Sequence, residues 1–221
     1  MSTEPASYRI FVGAFLNGDL NERIQAIRMR WDPKTARITP PHVTLAGTYE
    51  RRGVVTPASE ADTITRLCGL RQIVQPFELV LAGVRTFPPT DPNDPMSPMV
   101  IYHRVEPNPG LSAVRKALVE LLGQDKHPHF IPHLTLAMRL SGEAARRALH
   151  TLAAGDLGTH RYTCNIQELR LMQRSEKDPA WRCIATFSLS HNGNTPPCDG
   201  AATRDPAAME KSLPDSPTNQ A

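Results

Sequence analysis

The sequence predicts an α+β protein of duplicated plan, in which strands and helices alternate through two successive halves. Three observations predict it. The pentapeptide Pro-His-apolar-Thr-Leu occurs twice, at Pro41–Leu45 and Pro132–Leu136. Apolar runs of strand type alternate with stretches of helical spacing. The 221 residues are 40% hydrophobic and 21% charged, a globular balance sufficient for one large domain or two small lobes with a shared core.

Residues 1–7 form a loose lead and residues 8–16 a buried strand. Asn17 and Asp19 are candidate caps for a helix to about Arg30, with Leu20, Ile24, Ile27 and Trp31 at helical spacing. Pro40-Pro41 breaks the chain, and residues 42–49 form the first motif strand. Thr56 as cap and Pro57 in the first turn start a helix to about Leu70. Residues 77–87 form a strand, followed by a Pro- and Asp-rich loop at 88–98 placed to rim a pocket. Met99–Val105 is a strand and Leu111–Leu122 a helix. Phe130–Leu140 holds the second motif strand, Gly142–Ala154 is a helix, and two strands lie near 161–174 and 181–189. The order is β-α-β-α-β, then β-α-β-α-β-β, a duplication of layout more than of sequence. Residues 8–190 are expected to form a single domain. Residues 191–221, nearly without large apolar side chains, read as a disordered tail.

Composition excludes several classes. The net charge of +3, from 25 basic and 22 acidic residues, is too small for a strong polyanion-binding field. An anionic ligand must be held by local geometry, and a mostly arginine basic set suits phosphate. Cys68, Cys164, Cys183 and Cys198 form no C-x-x-C pair, which predicts reduced thiols and a cytoplasmic protein. No leader or membrane-length apolar run is present, so no membrane partner is expected.

Strand alternation gives the motifs their chemistry. His42, Thr44, Ala46 and Thr48 fall on one face, and Val43, Leu45, Gly47 and Tyr49 on the other. In the second copy His133, Thr135, Ala137 and Arg139 share a face, opposite Leu134, Leu136, Met138 and Leu140. The leucine faces suit packing under helices, and alanine on the polar faces leaves space for a ligand. Two histidines titrating near neutrality can divide acid and base roles, while two threonine hydroxyls can donate to phosphoryl oxygens. That set needs neither metal nor cofactor and fits in-line opening of a strained cyclic phosphodiester. No serine or cysteine nucleophile motif and no Walker-type loop competes. A metal site from His127, His129 and His133 is a poor alternative: prolines and one-residue spacing oppose a tetrahedral set, with no acidic or thiol ligand nearby.

The two motifs and their surroundings resemble the two-histidine (2H) phosphoesterase superfamily, nearest its 2′-5′ RNA ligase-like and RNA 2′,3′-cyclic phosphodiesterase branch. Arg9–Phe15 is similar to the opening strand, Gly83–Pro88 to a strand end before a variable loop, and Phe130–Ala137 to the second motif. Glu168–Ser175 and Trp181–Leu189 resemble the closing hairpin. The likeness spans about residues 8–189. It implies a bilobal fold with pseudo-two-fold symmetry, two antiparallel-rich sheets lining a central cleft and helices outside. It implies hydrolysis of 2′,3′-cyclic phosphates to 2′-phosphomonoesters, with His42 as acid and His133 as base, and Thr44 and Thr135 on the phosphate. Relatives often carry arginine directly after the second motif's alanine, where this chain has Met138. Arg139, one place later, is the phosphate-binding candidate. Phe87, Tyr102 and Trp181 are candidates to touch a base. Expected partners are RNA 2′,3′-cyclic phosphate ends or small cyclic nucleotides, acted on by a monomer. The alternatives are an ADP-ribose cyclic phosphate as substrate, 2′-5′ ligation, or a nucleotide-binding module with little turnover.

Overall fold

A computed structural model of the chain describes residues 7–52, 57–89, 91, 93–94, 97–125, 127 and 129–189. The Thr56 cap and the 191–221 tail lie outside them, as does all but the last residue of the 1–7 lead. Strand β1 (Ser7–Phe15) leads through α1 (Gly18–Trp31) and α2 (Pro33–Ile38) to β2 (His42–Arg52). Helices α3 (Pro57–Cys68) and α4 (Leu70–Ile73) precede β3 (Phe77–Phe87) and β4 (Met99–Val105). Helix α5 (Pro109–Leu122) leads to β5 (His133–Leu140), then α6 (Gly142–Ala154) and α7 (Asp156–Thr159). Strands β6 (Arg161–Ile166), β7 (Glu168–Ser175) and β8 (Arg182–Ser188) close the chain.

The strands pair antiparallel in the order β6-β3-β4-β5-β2-β1-β7-β8. Two sheets were the expectation; hydrogen bonding makes them one, but the join between β2 and β5 is a single residue pair, Val43 with Leu134. The expected halves of the sequence are not the halves of the sheet. The run read as one strand near 161–174 breaks at Gln167 into β6, which pairs with β3, and β7, which pairs with β1. Helix α2 was also unexpected. Its signal is local: Pro33 occupies the first turn, and the Asp32 carboxylate accepts from the Thr35 amide at 3.1 Å.

The thin join is bridged from behind. Helix α1, which leaves β1, packs on β5, and α5, which leaves β4, packs on β2. Val43, Leu45, Leu134 and Leu136 are buried together with Ile24 of α1 and Leu111, Val114 and Leu118 of α5. Each such side chain contributes about 1.5–3 kcal/mol by leaving water. The first two residues of each leucine face therefore pack as alternation assigned them. A smaller cluster of Phe11, Phe15 and Met172, with Trp181 against it, stands apart from this core.

His103 on β4 is fully buried, and neither ring nitrogen closes a hydrogen bond of good geometry among the described residues. Burial pushes its pKa down to about 4, against a partial lift from nearby backbone. The folded state therefore keeps His103 neutral between about pH 6.5 and 4, where the unfolded chain binds the proton. Stability should fall with pH across that window. His103→Leu should recover up to about 3 kcal/mol of the loss, read from urea titrations at pH 7 and pH 4.5. An unchanged difference between the two pH values would count against it.

Candidate active site

The two motif histidines enter one cavity of about 540 Å³, whose wall also carries Thr44 and Thr135. Each imidazole is fixed in the same way. His42 Nδ1 donates to the Pro40 carbonyl and His133 Nδ1 to the Ile131 carbonyl, both at 2.8 Å. A carbonyl only accepts, so Nδ1 carries the proton and Nε2 is left with its lone pair for the cavity. Pro41 and Pro132 precede the histidines and disfavour helical backbone at Pro40 and Ile131, whose carbonyls the rings meet.

The rings differ in their packing. His42 lies flat against Phe11 and Phe15, with centroids 4.8 and 5.3 Å away. His133 meets Phe87 and Tyr102 edge-on at 4.9 and 5.3 Å. Burial lowers the His42 pKa to about 4, opposed by the Pro40 bond and reinforced by the Arg28 and His133 charges. Burial also lowers that of His133, with His127 adding to the shift. Both imidazoles are thus neutral near pH 7 in the free protein. An anion bound between them would favour a proton on one.

Strand alternation holds through each threonine and then resets. The β1–β2 and β4–β5 ladders each carry two register shifts, with the extra residues on the motif strands. Ala46 and Ala137 are consequently buried and do not line the cavity, contrary to the expected spacious face. Met138 lines it, while Arg139 is absent from the lining and donates from Nε to Thr35 Oγ1 at 3.2 Å. The bulge thus removes Arg139 from the face that simple alternation gave it. Phe87 and Trp181 reach the cavity; Tyr102 stacks behind Phe87 at 4.3 Å and is buried. No described residue of the 88–98 loop lines it.

Two carboxylates hold the motif strands at the fifth residue beyond each histidine. Asp125, after α5, accepts from the Gly47 amide at 2.9 Å, and Asp32, after α1, accepts from the Met138 amide at 2.9 Å. Arg115 grips Asp125 with both terminal nitrogens, at 2.5 and 2.9 Å, and reaches the Leu45 carbonyl. Burial alone would raise the Asp125 pKa, but Arg115 and the amides of Gly47 and His127 hold it down at about 2. Gly47 itself has φ +128°, and a Cβ there would lie 2.6 Å from that of Phe11, the ring stacked on His42.

Sequence reasoning missed Arg28, Asp32, Arg115 and Asp125. A signal existed for the arginines. Arg28 follows Ile24 by four residues and Arg115 follows Leu111 by four, so each is a charge on an otherwise apolar stripe. Among the described residues no group of three histidine, cysteine or acidic side chains is placed to hold a metal ion. None of their helices is long and apolar enough to cross a membrane.

An antiparallel sheet that brings two His-x-Thr strands to one cavity defines the two-histidine phosphoesterase class. The family model of the 2′-5′ RNA ligase superfamily matches residues 17–178, and the chain belongs to that superfamily. Relatives named "Putative phosphoesterase" include one from Bacillus cytotoxicus, 28% identical over 77% of this chain and 90% of its own. Another, from Bacillus pumilus, is 28% identical over 81% and 96%. The crystal structure of E. coli LigT complexed with 3′-AMP shares the fold, with TM-score 0.52 and 19% identity over 85% of this chain and 99% of that one. The apo form of LigT gives 0.50 and 18% over 84% and 98%.

Proposed function

We propose that this phosphoesterase opens nucleoside or RNA 2′,3′-cyclic phosphates to 2′-phosphomonoesters, using its two histidines and no metal. One observation carries the reading: two imidazoles face one cavity, each with Nδ1 tied to a carbonyl and each two residues before a threonine on the wall. Water attacks phosphorus and the bond to the 3′ oxygen breaks. His133 takes the water proton, and His42, protonated beside the bound anion, gives its proton to the departing 3′ oxygen. Thr44 and Thr135 donate to the non-bridging oxygens as charge builds there.

The cavity volume of about 540 Å³ suits a terminal nucleotide. Phe11, Trp181, Phe130, Ile131 and Met138 in its wall offer apolar surface to a base. A low net charge argues against a long strand held along its backbone. RNA ends and small cyclic nucleotides are therefore both substrates of this reading.

The test is turnover of 2′,3′-cyclic AMP and of a short RNA ending in a cyclic phosphate, each with EDTA present. Phosphorus NMR should show the 2′-phosphomonoester. Binding without turnover would make the protein a nucleotide-binding module, and a 3′-phosphate product would reject the proposed bond cleavage.

A further inference from the structure

Outside the two motifs, the cavity wall holds two guanidinium groups, Arg28 and Arg115. The charge of Arg115 is matched by Asp125 in a two-pronged ion pair. Arg28 has no such match. It is 2% exposed, its Nη1 donates to the Thr39 carbonyl at 2.8 Å and to Gln25 Oε1 at 3.3 Å, and its buried Nε has no hydrogen-bond partner among the described residues. Asp32, the carboxylate whose charge it feels, gives one oxygen to the Thr35 amide and the other to the Met138 amide. No ion pair joins Asp32 to Arg28 among the described residues.

Such an arrangement is costly unless something in the cavity offsets it. A buried donor without a partner forfeits its hydration, and a buried cation forfeits more. Burial indeed lowers the Arg28 pKa to about 10, although Asp32 acts to raise it. The charge also reaches His42, whose protonated form it disfavours. A fixed cation without an ion-pair partner, in the wall of the cavity that holds the reacting imidazole, is organised in advance for an anion.

We propose that Arg28 contacts the substrate phosphate, its guanidinium donating to a non-bridging phosphoryl oxygen beside His42. The anion supplies the countercharge for the burial of the guanidinium. Arg28 reaches the phosphate from α1, the helix laid over the β5 side of the join, while His42 reaches it from β2. The identity of the anion rests on the phosphodiesterase reading; the presence of an anion site does not.

Inorganic phosphate is the probe, titrated calorimetrically into the whole chain. Arg28→Gln removes the charge and keeps an amide donor at the place of Nε, and it should weaken phosphate binding by about tenfold to a hundredfold. Its Tm should stay level or rise, because a poorly compensated buried charge has been removed. A lower Tm with unchanged phosphate affinity would overturn the proposal, leaving Arg28 only as a brace for the turn before His42. Should the variant fail to fold, the wild-type chain decides. Saturating phosphate should shift the Arg28 Nε–H resonance, and a resonance that does not move would refute the contact. Phosphate binding that depends on Arg28, in a protein that opens no cyclic phosphate, would support this site and reject the phosphodiesterase reading. Cyclic-phosphate turnover indifferent to Arg28→Gln would do the reverse.

Discussion

His133→Ala and His42→Ala should each lower turnover of a 2′,3′-cyclic nucleotide by about 10²–10⁴-fold, the usual worth of a positioned proton carrier. The fold should persist, because neither ring belongs to the leucine core and, among the described residues, each ring hydrogen-bonds only to a carbonyl two residues away. The double variant should lose little more than the worse single one, since acid and base act as a unit. The pH dependence follows from the depressed pKa values. In the free protein the His42 proton is lost above about pH 4, so kcat/KM should decline with rising pH through the neutral range. Once the anionic substrate is bound, the acid keeps its proton longer, and the optimum of kcat should lie at higher pH than that of kcat/KM. Near-normal turnover by His133→Ala, or coincident profiles for the two parameters, would overturn this division of labour.

The second large effect is one of stability. Asp125→Ala removes the partner of a nearly buried Arg115 and strands the Gly47 amide, so it should cost about 3–5 kcal/mol. Asp125→Asn keeps the shape and one acceptor, and should cost less. The loss should also be pH-dependent in a defined sense. Asp125 has a folded pKa of about 2, below its unfolded value of 3.8, so its contribution is present above pH 3.8 and lost as pH falls through 2. Urea titrations of both variants at pH 7 measure the difference. A cost below 1 kcal/mol for Asp125→Ala would show that the clamp adds nothing net.

The parts of this molecule written in local sequence were readable. Strands 77–87 and 99–105 and the helix at 142–154 have the expected bounds, because each is a regular apolar pattern ended by proline, glycine or polar residues. The His-x-Thr halves of both motifs face the cavity as period-two alternation requires. Reading fails one or two residues later, at the bulges, which depend on how neighbouring strands are registered and leave no mark in a single strand. Met138 and Arg139 exchange expected places for that reason. The Arg115–Asp125 clamp was hidden differently: the Gly47 amide that donates to it lies 78 residues from Asp125. Only the misplaced charges on apolar helical stripes hinted at it.

The strand order has a consequence for how such a chain is made. Strands β3 to β6 form one uninterrupted stretch, 77–166, and complete four adjacent places in the sheet. Strands β1 and β2 can pair with each other early, but the other side of β1 stays open until β7 arrives, since β1 lies between β2 and β7. On a ribosome, which delivers residues in order at about 5–20 per second, the stretch bearing His133 can pair all its strands first. The four strands on the His42 side of the join are complete only when Trp181 and β8 have emerged. The protein is one half threaded into the middle of the other, so cutting the chain at any single point leaves at least one half incomplete.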